Sequence, residues 1–251
     1  EYPMSDQTPL PLFYKNVAAL KQDTHHAWRV PEPLNFSFAS QTNLVYLTQL
    51  EFSLAARHYP IVFSESADTL VSVALVGLEK DRNLFVSGEG EWLAETYIPA
   101  YVRRYPFILA TADDGKTFTV CLDEDYRSLE KDKTVGKLMF TKQGEQSASL
   151  KQHINFLKEY EAQVEATKQF CYALKGLDLF EPVQAQISPK GMQEFSLSGF
   201  MVVNRKKLNQ LNGDQLAALA KKGYLEVIYQ HLWSLDTFQH LLNLHVQNNQ
   251  H

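Results

Sequence analysis

An α+β fold is predicted, mostly antiparallel sheet built from repeated helix–proline–hairpin units and closed by a helical C-terminal part. Three observations predict it. Arg57-His58-Tyr59-Pro60-Ile61-Val62-Phe63 is echoed by Arg103-Arg104-Tyr105-Pro106-Phe107-Ile108-Leu109, and 103 − 57 gives an offset of 46 residues. Each segment follows a helix-like stretch and leads through a polar turn into a second apolar run, the pattern of a hairpin. From Ser149 onward the apolar spacing changes to that of helices.

The elements follow in order. Pro9, Pro11, Pro31 and Pro33 break any helix near the start, so Val17–Leu20, Leu34–Phe38 and Leu44–Leu47 are expected as short strands. Leu50, Leu54 and Arg57 have the spacing of one helix face, ended where Pro60 forces Tyr59 into an extended conformation. Ile61–Phe63 and Leu70–Leu78 form the first hairpin about a turn at Ser64–Asp68. Asn83–Val86 is expected as a strand and Gly88-Glu89-Gly90 as a turn. Trp92–Val102 is expected as helix. Phe107–Ala110 and Thr117–Leu122 form the second hairpin, with Asp114-Gly115 as the turn signal. Ser149 with Gln152 fits a capping box for a helix carrying Leu150, Ile154, Leu157, Val164, Cys171 and Leu174 to Gly176. A looser third unit places Pro182 before Val183–Ile187, a turn at Ser188-Pro189-Lys190-Gly191 and a return strand Phe195–Val203. Asn212 with Gln215 caps a short helix through Leu219. A longer helix then carries Leu225, Ile228, Leu232, Leu235, Leu242 and Val246.

One domain over residues 4–251 is expected, with a possible subdivision near 123–148 in the charged stretch beginning at Asp123; Glu1–Pro3 read as a remnant ahead of a start at Met4. Apolar residues are 45% and charged residues 21%, an ordinary globular balance. A formal net charge of −5 gives no general attraction to nucleic-acid phosphates. The N-terminus has neither the basic nor the apolar region of a signal peptide, and no apolar run reaches the length of a spanning helix. A cytoplasmic location is therefore expected. Cys121 and Cys171 are far apart and sit among apolar neighbours, so buried free thiols are expected.

Neither catalytic residues, a cofactor site nor a metal site is expected. His25-His26 and His240 with His245 lack ligand spacing and read as solvated surface histidines. Gly88-Glu89-Gly90 lacks the third glycine of a dinucleotide fingerprint and carries acids where pyrophosphate would lie. Asp123-Glu124-Asp125 lacks the spacing of a calcium loop. The two Arg-x-Tyr-Pro segments read first as structural corners: an arginine on the last helical turn, a packed tyrosine, and a proline stop. Arg57, Arg103 and Arg104 are also candidate clamps for carboxylates, with Tyr59 and Tyr105 as amphipathic contacts. Arg104, at the position where the other copy has His58, has the strongest claim. Trp28-Arg29 is either a ligand contact or an apolar cover, and Trp233 with Phe238 reads as helix packing.

The same segments resemble a known family. Asn35-Phe36-Ser37-Phe38-Ala39, Ala55-Ala56-Arg57-His58-Tyr59-Pro60-Ile61-Val62-Phe63, Val73-Ala74-Leu75-Val76-Gly77-Leu78, Asn83-Leu84-Phe85-Val86 and Tyr97-Ile98-Pro99-Ala100-Tyr101-Val102-Arg103-Arg104-Tyr105-Pro106-Phe107 are similar to the SapC family. The likeness continues through Cys121-Leu122-Asp123, Leu208–Leu211 and Gly223-Tyr224-Leu225. The family takes its name from a surface-layer protein. The resemblance implies a bacterial setting beside TonB-dependent receptors, tryptophan-halogenase-like enzymes and cupin-like hydroxylases, and it brings no catalytic residues with it.

The function expected from this reading is a non-catalytic accessory protein that binds a peptide or protein in a modification or uptake pathway. Its candidate contacts are Trp28, Arg29, Arg57, Tyr59, Arg103, Arg104 and Tyr105. The implied partners are halogenase-like or hydroxylase-like enzymes, with a homo-oligomer left open. The alternatives are an enzyme using arginine with carboxylates such as Glu51 or Asp123, and a surface-layer or envelope component.

Overall fold

The computed structural model describes residues 10–30, 32, 34–66, 69–111, 118–128, 135–187 and 195–249. The expected start at Met4, Pro9, Pro31 and Pro33, the tips of the three hairpin turns and most of the charged stretch after Ser128 lie outside those residues. In chain order the elements are β1 (Val17–Ala19), α1 (Gln22–His25), β2 (Arg29–Val30), β3 (Leu44–Tyr46), α2 (Phe52–Ala55), β4 (Ile61–Ser66), β5 (Thr69–Leu75), α3 (Ala100–Arg103), β6 (Phe107–Thr111) and β7 (Phe118–Asp123). There follow β8 (Lys137–Leu138), α4 (Ala148–Gly176), β9 (Phe180–Ile187), β10 (Phe195–Val203), α5 (Arg205–Asn209), α6 (Gly213–Lys221), α7 (Tyr224–Ser234) and α8 (Phe238–Asn248).

All the strand pairs are antiparallel, in sheets ordered β1-β7-β6, β3-β5-β4-β10-β9 and β2-β8. The α+β class and the helical C-terminal part are as the sequence predicts. The repeat is not established. Both Arg-x-Tyr-Pro segments run from a one-turn helix into a hairpin, but the hairpins lie in different sheets. The Tyr105–Pro106 peptide is cis, and Pro60 follows no such bond.

The chain packs as two compact units, each assembled from separate stretches. The first takes the residues through Phe38 together with Arg104–Glu159. Its core gathers Tyr14, Val30, Tyr105, Phe107, Leu122, Tyr126, Met139 and Leu150 under the three-stranded sheet, with Ile154 and Leu157 from the start of α4. The second takes Ala39–Arg103 and Tyr160–His251. There Phe63 on β4 meets Phe52 of α2, Phe170 of α4, Phe180 of β9 and the His231 ring of α7. Aromatic rings of this size bury large areas, and edge contacts among them add to that burial.

Several sequence expectations are corrected, the first of them by local polar groups. Leu34–Phe38 is not a strand: Asn35 Oδ1 accepts the Ser37 amide at 2.9 Å and turns the chain into a 3-10 turn over Ser37–Ala39. Asn83–Val86 is not one either, because Asn83 Oδ1 accepts the Phe85 amide at 2.9 Å. Of Trp92–Val102 only Ala100–Val102, the first three residues of α3, are helical. Glu95 takes φ 60°, which no helix accommodates, and Trp92 instead bridges to Val86. Ser147, not Ser149, begins α4, its Oγ accepting the Leu150 amide at 3.2 Å. Leu50 and Leu54 face outward, and Glu51, Phe52 and Ala55 form the buried face. A 3-10 turn over Leu235–Thr237 splits the last helix, so Leu241 and His245 are buried rather than Leu242 and Val246. Trp233, expected in helix packing, is 62% exposed beside Tyr229. His25 and His245, expected as solvated, are buried, and so is His231. Cys121 and Cys171 are buried and unbridged, as expected.

Candidate functional site

The two carboxylates considered for catalysis are both fully engaged. Asp123, at the end of β7, is fully buried. Its Oδ2 accepts the Lys15 amide at 2.8 Å, and its Oδ1 accepts the amides of Asn16 at 3.1 Å and Asp125 at 3.0 Å. Tyr105 approaches as a fourth donor, its hydroxyl 3.4 Å from Oδ2. Glu51 receives a comparable set in the other unit. Thr48 donates its amide and hydroxyl to Oε2 at 2.8 and 2.9 Å; Ala100 N–H at 2.6 Å and the Tyr97 hydroxyl at 3.0 Å donate to Oε1. A carboxylate offers about four lone-pair sites. With four donors each, these groups staple loops and keep no lone pair for a substrate proton. Burial and the neighbouring carboxylate raise both phenols, Tyr97 to about 12 and Tyr105 further, so each remains a donor.

The arginine and aromatic candidates divide between core and surface. Tyr59 is wholly buried, receives Trp92 Nε1–H at 3.2 Å and donates to the Tyr97 carbonyl. Burial raises its phenol to about 12. Arg104 is buried with its guanidinium 5.6 Å from the centre of the Tyr14 ring, a cation–π contact. Tyr105 is buried and stacks on Phe38 at 3.9 Å. These three join corners to cores. Arg29 ties Nη1 to the Gly136 carbonyl at 2.7 Å, and Trp28 sits half-buried between His25 and Tyr126. Arg103 is exposed, bonded to the Ile98 carbonyl at 3.0 Å and the Tyr97 hydroxyl at 3.1 Å, and Arg57 is exposed on the last turn before Tyr59. The structure brings Arg104 and Tyr105 together in the first unit, and Tyr59 and Arg103 around Tyr97 in the second. Of the seven candidates, Trp28, Arg29, Arg104 and Tyr105 belong to the first unit and Arg57, Tyr59 and Arg103 to the second. Among the described residues, no three or more His, Cys, Asp or Glu side chains cluster as a metal site.

The sheet edges differ in how they end. A strand at an edge presents unpaired N–H and C=O groups from alternate residues. On β3, bonds from Val76 N to Asn43 O and from Leu47 N to Ser72 O direct Leu44 and Tyr46 outward. Thr42 occupies Leu44, its hydroxyl bonding both the carbonyl and the amide. On β9, the bond from Asn204 N to Leu179 O sets the register that turns Pro182 outward, where it has no N–H to offer. On β6 the outward Phe107 is taken at both ends, its amide by the Arg104 carbonyl at 2.8 Å and its carbonyl by the Tyr14 hydroxyl at 2.7 Å.

On β1 no such device is present. Bonds from Leu20 N to Val120 O and from Glu124 N to Asn16 O place Asn16, Ala18 and Leu20 in the hydrogen-bonded positions toward β7. Val17 and Ala19 therefore turn their backbone groups to the free side, where no strand pairs with them among the described residues. The strand is neutral and half-buried, with no proline and no charge within it. Sequence reasoning finds a strand here but not the edge. The pairing partner stands about a hundred residues away, and only the register reveals which residues face outward.

None of the helices is long and apolar enough to cross a membrane among the described residues. No curated protein and no solved structure matches the chain. The family model described as SapC matches residues 20–241, from just after β1 to within α8, and the chain therefore belongs to the SapC family.

Proposed function

We propose that this protein is a non-catalytic accessory protein, acting in the cytoplasm, that captures an extended peptide or a strand of a partner protein by strand addition to β1. The observation that carries the reading is the contrast among edges: β3, β6 and β9 each carry an obstruction at one outward residue, Leu44, Phe107 and Pro182, whereas both outward residues within β1, Val17 and Ala19, are open between Lys15 and Lys21, whose amides are held by Asp123 and His25. Strand addition draws affinity from main-chain hydrogen bonds and specificity from alternate side chains. The saturation of Asp123 and Glu51 by backbone and hydroxyl donors speaks against their use as an acid–base pair. The partner in this reading is a peptide or protein of the same modification or uptake pathway, such as a halogenase-like or hydroxylase-like enzyme. The reading rests on this chain's own strand, since β1 precedes the family-matched span.

Ala19→Pro tests it. The Ala19 N–H points away from β7, so proline removes no ladder bond and the fold is retained. Random heptapeptides displayed on phage and selected on the wild-type protein are expected to lose at least about tenfold in affinity for Ala19→Pro, because the variant forfeits one main-chain bond and crowds the incoming strand. Equal binding of the selected peptides to both proteins would remove β1 from the mechanism. Failure to select any peptide would remove the function.

A further inference from the structure

The end of α8 is closed by a contact with the turn that follows β5. Arg82, in that turn, donates from Nη2 to the Asn248 carbonyl at 3.1 Å and from Nη1 to Asn249 Oδ1 at 2.5 Å. A guanidinium at the last carbonyl of a helix satisfies an orphan acceptor and suits the negative end of the dipole. Arg82 Nη1 also meets Glu79 Oε2 at 3.1 Å, and Glu79 Oε1 lies 3.9 Å from His245 Nε2. The turn is a firm base for these contacts. The Arg82 carbonyl packs on Gly77, the Asn83 amide bonds the Ser40 carbonyl, and the Leu84 amide bonds the Val76 carbonyl.

His245 lies on the buried face of α8 with Leu241 and is 1% exposed. Its tautomer follows from Arg82. Because Arg82 Nη1 fixes Asn249 Oδ1 as the acceptor, Asn249 turns Nδ2 toward His245 Nε2 at 3.3 Å, and Nε2 must accept. The ring is therefore neutral, with its proton on Nδ1. A second proton would go to Nε2 and set two donors face to face. Rotating the Asn249 amide gives no relief, since Nδ2 would then meet Arg82, another donor. Glu79 attracts the proton, but it already bonds Arg82, and these two side chains are 47% and 35% exposed, which weakens the attraction. Burial holds the His245 pKa below its ordinary 6.5; Glu79 opposes this and Arg82 reinforces it. Lys80 and Asp81, in the same turn, are exposed.

We infer that the C-terminal end of α8 is an acid-released latch: proton uptake by His245 breaks its bond from Asn249, loosens Arg82 from Asn249 and Asn248, and lets this end of the helix leave the turn after β5. Linkage fixes the sign. Above pH 6.5 the ring is neutral whether the latch is closed or open, and closure is complete. As the pH falls below 6.5, the open form takes up a proton that the closed form resists, so opening becomes easier. A simple ion pair between His245 and Glu79 would give the reverse. The latch is independent of strand addition at β1, which belongs to the other unit.

Hydrogen exchange of the full chain at pH 7.5 and pH 5.5, corrected for the intrinsic pH dependence of exchange, tests it. Protection of the amides of residues 241–249 is expected to fall severalfold at the lower pH, with a ceiling of about tenfold for one group titrating from 6.5. In His245→Gln, whose side chain still accepts from Asn249 but takes up no proton, that pH response is expected to vanish. Arg82→Gln, at a partly exposed position, should keep the fold and lower protection of this helix end at both pH values. Wild type and Arg82→Gln decide the matter even where His245→Gln does not fold. Unchanged or greater wild-type protection at pH 5.5, an equal pH response in His245→Gln, or wild-type protection in Arg82→Gln would each overturn the latch.

Discussion

His231 shows how a titratable side chain becomes part of a core. Its Nδ1–H donates to the Ile61 carbonyl at 2.8 Å, and its Nε2 accepts the Val203 amide at 3.0 Å. One neutral tautomer thus joins α7 to β4 and β10. Burial lowers its pKa from 6.5 to about 4, opposed only in part by the Ile61 carbonyl. The consequence for stability has a definite sign. Above pH 6.5 both folded and unfolded forms are neutral and the contribution is complete. Below it the unfolded chain takes up a proton that the folded chain resists until about pH 4. Roughly 3 kcal/mol should be lost across that interval, at about 1.4 kcal/mol per pH unit. Urea unfolding midpoints between pH 7 and pH 4 should decline in wild type. In His231→Gln, which starts less stable, the decline should be shallower by that amount, and an unchanged slope would remove His231 as its source. The sequence made the arginines and tyrosines around Pro60 and Pro106 conspicuous, but whether they bind or pack depends on burial. Tyr59 and Arg104 are buried, and Arg57 and Arg103 are exposed.

At the level of elements, the hairpins and the long helix were legible because their signals are local. β4 with β5, β6 with β7, and β9 with β10 are runs of apolar residues joined by turn chemistry, and α4 carries a sustained stripe. The failures occurred where one side chain redirects the backbone, as Asn35 and Asn83 do, or where Glu95 adopts a left-handed conformation within a helical pattern. Pairings between distant strands, β1 with β7 and β4 with β10, were not legible at all, because alternation identifies a strand but not its neighbour. Gly77 illustrates a close approach of the same non-local kind. A Cβ there would lie 1.8 Å from the Arg82 carbonyl oxygen and 3.3 Å from Asn43 Cβ. The loop cannot move aside easily, since the Val76 and Gly77 amides both bond Asn43 O and the Leu84 amide bonds Val76 O. Gly77→Ala should therefore cost about 3 kcal/mol, as overpacking at a rigid contact does. Gly88→Ala, with no atom within 4 Å of the new Cβ, should change stability by less than about 0.5 kcal/mol. Chemical denaturation of the two variants measures the contrast, and similar midpoints would mean that the backbone around Gly77 yields.

The whole molecule is interleaved rather than serial, and this governs how it can be divided. Each compact unit draws on the chain both before and after Arg103. The first unit needs Lys15 and Asn16 to satisfy Asp123, Tyr14 to bond the Phe107 carbonyl, and β1 to complete its sheet. The second needs β3, β4 and β5 beside β10, and the Ile61 carbonyl for His231. A fragment of residues 104–251 therefore keeps both long apolar patterns yet leaves two half-built cores. Buried groups such as Asp123 and His231 would lose their partners, at a cost of roughly 1–3 kcal/mol for each unsatisfied group, on top of the apolar surface left uncovered. Such a fragment is expected to show narrow amide dispersion by NMR and no cooperative thermal transition. Co-expression with residues 1–103 should restore both, because the missing strands and donors then return together. A fragment that folds cooperatively alone would instead show that the residues after Arg103 carry a complete core, and that the N-terminal strands, β1 among them, are additions to it.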